Sequence, residues 1–179
     1  MSNAIASDPR YPVGKFSHEG PVPAEQRTQY LEQVAQAPAK LRAATQGLSD
    51  VQLDTPYRDG GWGPRQVVHH VADSHMNAFI RFKLSLTEDN PTIKPYAEDL
   101  WAELPDGKSL PPEVSLAILD NVHRRWITLL RAMKETDWAR TFTHPAMGVR
   151  RLDQSLALYA WHGRHHVAHI TALRQEKGW

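Results

Sequence analysis

The chain contains no cysteine, and that absence removes thiolate metal ligands, a cysteine nucleophile and any disulfide framework together. It has no apolar run approaching the ~18 residues of a membrane span, and its opening stretch, MSNAIASDPR, lacks a basic segment followed by an apolar core. An excess of one charge is also missing. The 21 Lys and Arg residues stand against 20 Asp and Glu, a net charge of +1 mixed along the chain with no basic block. Neither a phosphate-tracking surface nor a nucleic-acid partner is indicated. Internal repeats, low-complexity tracts and convincing strand alternation are absent as well. The expectation is a soluble, cytoplasmic protein without membrane association, and 179 residues suffice for one domain, 1–179, with a core that needs no disulfide or structural metal.

What is present is helical punctuation. Residues 1–22 carry Pro9, Pro12 and Pro21 and read as an extended arm on the surface or on a partner subunit. A first helix is predicted over about 24–47, with Pro38 expected to kink or break it. Turn residues 55–61 lead to Gly63 as N-cap and Pro64 as first residue of a second helix, 64–87. Its apolar stripe is Val67, Val71, His75, Ala78, Phe79 and Phe82; beside it runs a polar stripe of His70, Ser74, Asn77 and Arg81. Such a stripe is either a solvated face or the wall of a site. Residues 91–110 form a long connection able to close over a pocket, with a short helix around Glu98–Glu103. A third helix spans about 112–134, a short hairpin sits around Pro145–Gly148, and Asp153 caps a fourth helix that ends at Gly178. The economical fold is all-α, an antiparallel four-helix bundle with two long connections.

Four of the ten histidines fall within Trp161-His162-Gly163-Arg164-His165-His166-Val167-Ala168-His169. Residues four apart on a helix share a face about 6 Å apart along the axis, so His162 and His166 can address one divalent cation. His165 should point well away. A third ligand must come from elsewhere, and His69, His70 and His75 are the available donors. His69 and His70 lie 100° apart, so only one can face the same site. A lone helical histidine is more often a surface or hydrogen-bonded core residue, and His75, in mid-stripe, reads as a core histidine with satisfied ring nitrogens. Asp73, Asn77 and Arg81 are candidates to orient ligands or bind a substrate acid group; Glu98 and Asp99 could offer a base from the long loop. A solvated surface explains each of these equally well.

Taken together, these residues resemble the DinB/YfiT superfamily of metal-binding four-helix-bundle proteins, and within it the YfiT-like metal-dependent hydrolases. The likeness runs from Tyr11-Pro12-Val13-Gly14-Lys15-Phe16 through Asp54–Trp62, Arg65–His70, Ala72–Asn77, Arg81–Leu84 and Pro95-Tyr96 to Tyr159–Ile170 and Gly178-Trp179. It implies one divalent metal per chain, zinc or nickel, bound by His70, His162 and His166. The family's second-helix motif, a tryptophan, an arginine three on and a histidine five beyond, falls on Trp62, Arg65 and His70. Gly63-Pro64 departs from the Ser or Thr followed by Val common in relatives. The resemblance further implies a homodimer; the substrate expected is a small molecule, with Asn77 and Arg81 as its candidate contacts. Three neutral ligands leave an open coordination position to activate water for hydrolysis. The alternatives are a thiol S-transferase that uses a low-molecular-weight thiol of the bacillithiol type, and a non-catalytic metal-binding protein.

Overall fold

The computed structural model describes residues 8–179. Its long helices are α1 (Ala24–Thr45), α3 (Pro64–Thr87), α6 (Pro112–Ala132) and α7 (Leu152–Lys177), joined by the short α2 (Asp50–Leu53), α4 (Glu98–Ala102) and α5 (Pro105–Ser109), with strands β1 (Thr141–His144) and β2 (Gly148–Arg151) before α7. The expected four-helix bundle is present. Its helix directions are more particular than simple alternation. Arg42 pairs with Asp120 at one end of α1 and α6, and Arg27 with Glu135, just beyond α6, at the other, so these helices run antiparallel. His70 meets His166 while His75 meets His162, so α3 and α7 are antiparallel too. By contrast, Val22 bonds Asp153 at the start of α7 and Ala44 bonds Arg174 near its end, making α1 and α7 parallel. His69 bonds Ser115 and Phe82 packs on Trp126, making α3 and α6 parallel. An up-down-down-up order results, and two successive parallel helices require a crossover spanning the bundle. Residues 88–111 are that crossover, which is why the connection is long.

Three local expectations are corrected. Helix α1 continues unbroken through Pro38; packing on α6 and α7 outweighs the one backbone bond the proline removes. Asp153 is the second residue of α7, and Arg151 is the N-cap. The Asp153 carboxylate still serves the helix start: it accepts from Gln154 N at 2.7 Å, from Val22 N at 3.2 Å and from the Arg151 guanidinium at 2.8 Å. The crossover carries two short helices, where one was expected over 98–103. Ser49, which accepts from Gln52 N at 3.4 Å, starts an additional turn of helix that the sequence reading passed over.

Other boundaries match the residues that set them. Gly63 is the N-cap of α3 and Pro64 its first residue; a Cβ on Gly63 would lie 2.6 Å from the Leu53 carbonyl, so the close return of the 53–63 loop needs glycine. Gly178 closes α7 at φ 71°. The hairpin pairs Thr141 with Arg151 and His144 with Gly148, and Thr92 of the crossover bridges Thr143 on its free edge. The arm, described from Asp8 onward with its first seven residues outside the described range, lies on α7 of its own chain. Trp161 Nε1 donates to the Gly14 carbonyl at 3.0 Å, and Phe16 packs on Trp161.

The core is divided. One apolar cluster contains Phe79, Phe82, Trp126, Leu130, Trp138 and Leu156; the other contains Leu41, Val67, Val71, Leu116, Leu119 and Ile170. Between them lies a layer of histidines, and α1 lies close against α7 there. A Cβ on Gly163 would stand 3.1 Å from Ala37 Cβ and 3.9 Å from His75 Cε1. Ala37 Cβ is rigidly tied to its helix, so a larger residue must part the two helices. Gly163→Val is expected to lower stability by about 1–3 kcal/mol, read as a lower urea midpoint at unchanged m-value; an unchanged midpoint would show that α1 and α7 separate freely.

Candidate metal centre

Helix α3 supplies His70. The Trp62 ring packs 4.7 Å from the His70 ring, and Arg65, buried to 5 % exposure, bonds Asp54 at 2.7 Å, Asp50 at 2.8 Å and the Leu110 carbonyl at 3.1 Å. The tryptophan–arginine–histidine motif therefore has a mechanical content. Trp62 braces His70, and Arg65 ties the start of α3 to α2 and to the end of the crossover. His69 turns the other way, with Nδ1 2.7 Å from Ser115 Oγ and Nε2 3.0 Å from the Leu110 carbonyl.

Helix α7 supplies His162 and His166 at i, i+4, their ring centroids 4.4 Å apart. One ring nitrogen from each of His70, His162 and His166 lies within 4.8 Å of the others. Nε2 of His70 and of His162 face each other at 3.3 Å, and Ser74 Oγ lies 3.5 Å from His162 Nε2. Burial pushes His70 down to about 4 and holds His162 and His166 well below the usual imidazole range. All three are uncharged near pH 7 and carry one bare lone pair each. Nδ1 of His166, like that of His165 and of His169, is buried with no hydrogen-bond partner, and desolvation leaves it uncompensated unless a partner meets that nitrogen. Three neutral imidazoles drawn from two helices, with no carboxylate among them, fit a borderline divalent cation such as zinc or nickel.

Around this group the structure distributes the other candidates. His75, at 0 % exposure, is a core histidine with both nitrogens engaged, Nε2 lying 3.1 Å from His162 Nδ1. Asn77 Nδ2 donates to the Asp73 carbonyl at 2.9 Å. Asp73 lies one turn on from His69; burial, then the nearby Asp106 charge, raises its carboxyl to about 6. Arg81 lines a cavity of about 320 Å³ with Phe16, Phe142, Met147, Arg150 and Tyr159. None of the three histidines lines that cavity; Tyr159, whose ring is 5.7 Å from the His162 ring, is the wall between. Glu98 and Asp99 are exposed on α4.

Two features were not read from the sequence. Tyr96, in the crossover, buries its hydroxyl without a hydrogen-bond partner; burial holds the phenol protonated, and Ser74, Tyr159, Arg81 and Glu98 are its neighbours. Its position in a long connection beside Pro95 was the available signal. The second feature is the burial of His165, which stands outside the group of His70, His162 and His166 but does not point into solvent. His165 is 8 % exposed, stacked on Trp161 at 4.3 Å, and with His166 and His169 forms a second group of ring nitrogens within 4.8 Å. Tyr57 stacks on His169 at 4.0 Å. That group comes from little more than one turn of a single helix, whereas the first joins two.

Comparison with known proteins places this geometry among relatives. The sequence profile of the DinB superfamily matches residues 33–170. A protein of Bacillus cereus (strain B4264) named "Putative metal-dependent hydrolase" is 53% identical over 173 residues, covering 97% of this chain and 99% of the relative. A Bacillus mycoides (strain KBAB4) protein of the same description is 53% identical over 172 residues, covering 96% and 99%. Among solved structures, YfiT from Bacillus subtilis, described as "a probable metal-dependent hydrolase with an unusual four-helix bundle topology", superposes with a TM-score of 0.93 at 48% identity, covering 96% of this chain and 98% of that one. A mycothiol-dependent maleylpyruvate isomerase shares the fold at 15% identity, with a TM-score of 0.63 and 82% and 60% coverage.

The buried histidines make stability depend on pH. His70, His123, His165 and His169 are pushed down to about 4, chiefly by burial, whereas in the unfolded chain they titrate near ~6.5. Between those values the unfolded state binds more protons, so stability is full above about 6.5 and is lost as pH falls toward 4. The melting temperature of metal-free protein should fall steadily from pH 7.5 to pH 5; a flat profile would contradict the neutral-imidazole assignment.

Proposed function

The chain belongs to the DinB superfamily, and on that premise we propose that it is a metal-dependent hydrolase whose zinc or nickel ion is held by His70, His162 and His166. The observation carrying this reading is the convergence of three uncharged imidazoles from α3 and α7, two buried and one half-buried. A divalent ion with three neutral protein ligands keeps an open position and, when bound, supplies Lewis-acid activation of water and polarisation of a carbonyl.

The chain's own residues supply the rest. Tyr96 has a protonated, unpartnered hydroxyl beside Ser74 and Tyr159, a donor ready for a substrate oxygen that gains negative charge. Arg81 and Arg150 give the adjoining cavity two cations, and Phe16, Phe142 and Met147 give it apolar walls. A small substrate with an acid group and an apolar portion suits that lining. Asn77 has one amide N–H committed to its own helix, which leaves its oxygen and its second N–H for a substrate. A second reading keeps the same three histidines and replaces water by a low-molecular-weight thiol such as bacillithiol; a cysteine-free chain requires that thiol to arrive as co-substrate.

The test is turnover of an ester and amide panel by zinc- and nickel-loaded protein, with and without bacillithiol or glutathione plus an electrophile. Thiol-independent hydrolysis is expected. Turnover only with thiol would favour the second reading, and retained metal with no turnover on any substrate would leave a non-catalytic metal protein. In the active preparation, Tyr96→Phe should lower kcat about 10²- to 10³-fold at unchanged metal content. Arg81→Gln should act mainly on KM for acidic substrates; equal losses for neutral and acidic substrates would remove Arg81 from substrate binding.

A further inference from the structure

Pro38 has no N–H, so the carbonyl four residues earlier in α1, that of Val34, has no partner along the helix. It is not left empty. Nδ1 of His123, on α6, lies 2.9 Å from it. A carbonyl only accepts, so His123 must carry its proton on Nδ1. With His123 pushed down to about 4 by burial, the ring is neutral and Nε2 is a bare acceptor. That nitrogen stands 2.7 Å from His75 Nδ1, which must therefore donate. His75, fully buried between two other imidazoles, stays neutral and has a bare Nε2, 3.1 Å from His162 Nδ1. His162 in turn donates from Nδ1 and keeps its lone pair on Nε2, the nitrogen that faces His70 Nε2 at 3.3 Å. Running the protons the other way would set a lone pair of His123 against the lone pairs of the Val34 carbonyl. One acceptor, created by one proline, thus orders three rings on three helices.

We propose that Pro38, the Val34 carbonyl, His123 and His75 form a positioning chain that fixes the tautomer and ring orientation of His162 and so presents its Nε2 as a metal ligand. Residues beyond the ligands hold ring orientation in this way at metal sites, and removing them typically costs about 10- to 100-fold in affinity. Here the outer partner is a second histidine backed by a third, with no carboxylate in the chain, so the device adds no charge to the bundle interior. Its consequence for metal rests on the three-histidine reading above; the proton order does not.

The experiment uses the full chain labelled with ¹⁵N-histidine. Long-range ¹H–¹⁵N spectra of the metal-free protein near pH 7.5 report which nitrogen of each ring is protonated, and chelator competition reports zinc affinity. In wild type, His123, His75 and His162 should all be Nδ1–H tautomers. His123→Leu should let His75 and His162 populate the Nε2–H form and weaken zinc binding about 10- to 100-fold. His123→Gln should restore both, because its amide can donate to the Val34 carbonyl and accept from His75. An Nε2–H His162 in wild type would overturn the proposal without any variant having to fold. So would a His123→Leu protein with unaltered His162 tautomer and unaltered zinc affinity. If wild type shows the three Nδ1–H tautomers but binds no zinc, the proton order stands, while the metal reading and the positioning role both fall.

Discussion

The constraint on which this structure turns is the burial of uncharged imidazoles in the middle of a helical bundle. His70, His75, His123 and His166 are all under a tenth exposed, and His162 is half-buried; together they lie between two apolar clusters. Desolvation keeps them neutral, and a neutral imidazole offers one donor and one acceptor that the interior must satisfy. Where the fold provides partners, as along Val34, His123, His75 and His162, the rings are ordered. Where it does not, as at Nδ1 of His165, His166 and His169, a buried ring nitrogen is left without a partner.

The bundle's topology follows from bringing those rings together. Because α3 and α6 run parallel, the chain must travel the length of the molecule between them, and that crossover returns with Tyr96 against Ser74 and Tyr159. The hairpin before α7 anchors the crossover through the Thr92–Thr143 bridge. Arg140, next to β1, caps the end of α3 by donating to the Glu88 carbonyl at 2.9 Å. The arm packs along α7 as well: Arg10 and Tyr11 meet His169 and His165, and Phe16 shares a cavity with Phe142 and Met147 of the hairpin.

The long helices were legible because their signals are local: proline at a first turn, glycine at a C-terminus, apolar residues at helical spacing. The pairing of His162 with His166 was legible for the same reason. Its third partner was not decided by spacing alone, since His69 and His70 are equivalent until the packing of α3 on α6 draws His69 toward Ser115. Asp153 carried the chemistry of a cap, yet a helix can begin before its best acceptor when another backbone donor, here Val22, needs that carboxylate. Pro38 read as a break because a sequence shows the lost backbone bond and hides what replaces it. The burial of His165 was hidden because helical phase says nothing of an aromatic arm folding over it. Helix direction was hidden for a related reason: the length of a crossover is visible in sequence, but which helices it sets parallel depends on side chains that meet only in the folded bundle.

The central claim is that His70, His162 and His166 hold one metal ion, and the most direct measurement is metal content per chain in untagged protein by plasma mass spectrometry. Wild type, His70→Ala, His162→Ala, His166→Ala and His165→Ala would be compared after purification without chelators. The account predicts about one zinc or nickel per chain in wild type and in His165→Ala, and loss of the metal in the other three. Wild type that cannot be loaded, or loss in His165→Ala with retention in His70→Ala, would contradict it; the latter pattern would move the ion to the group formed by His165, His166 and His169.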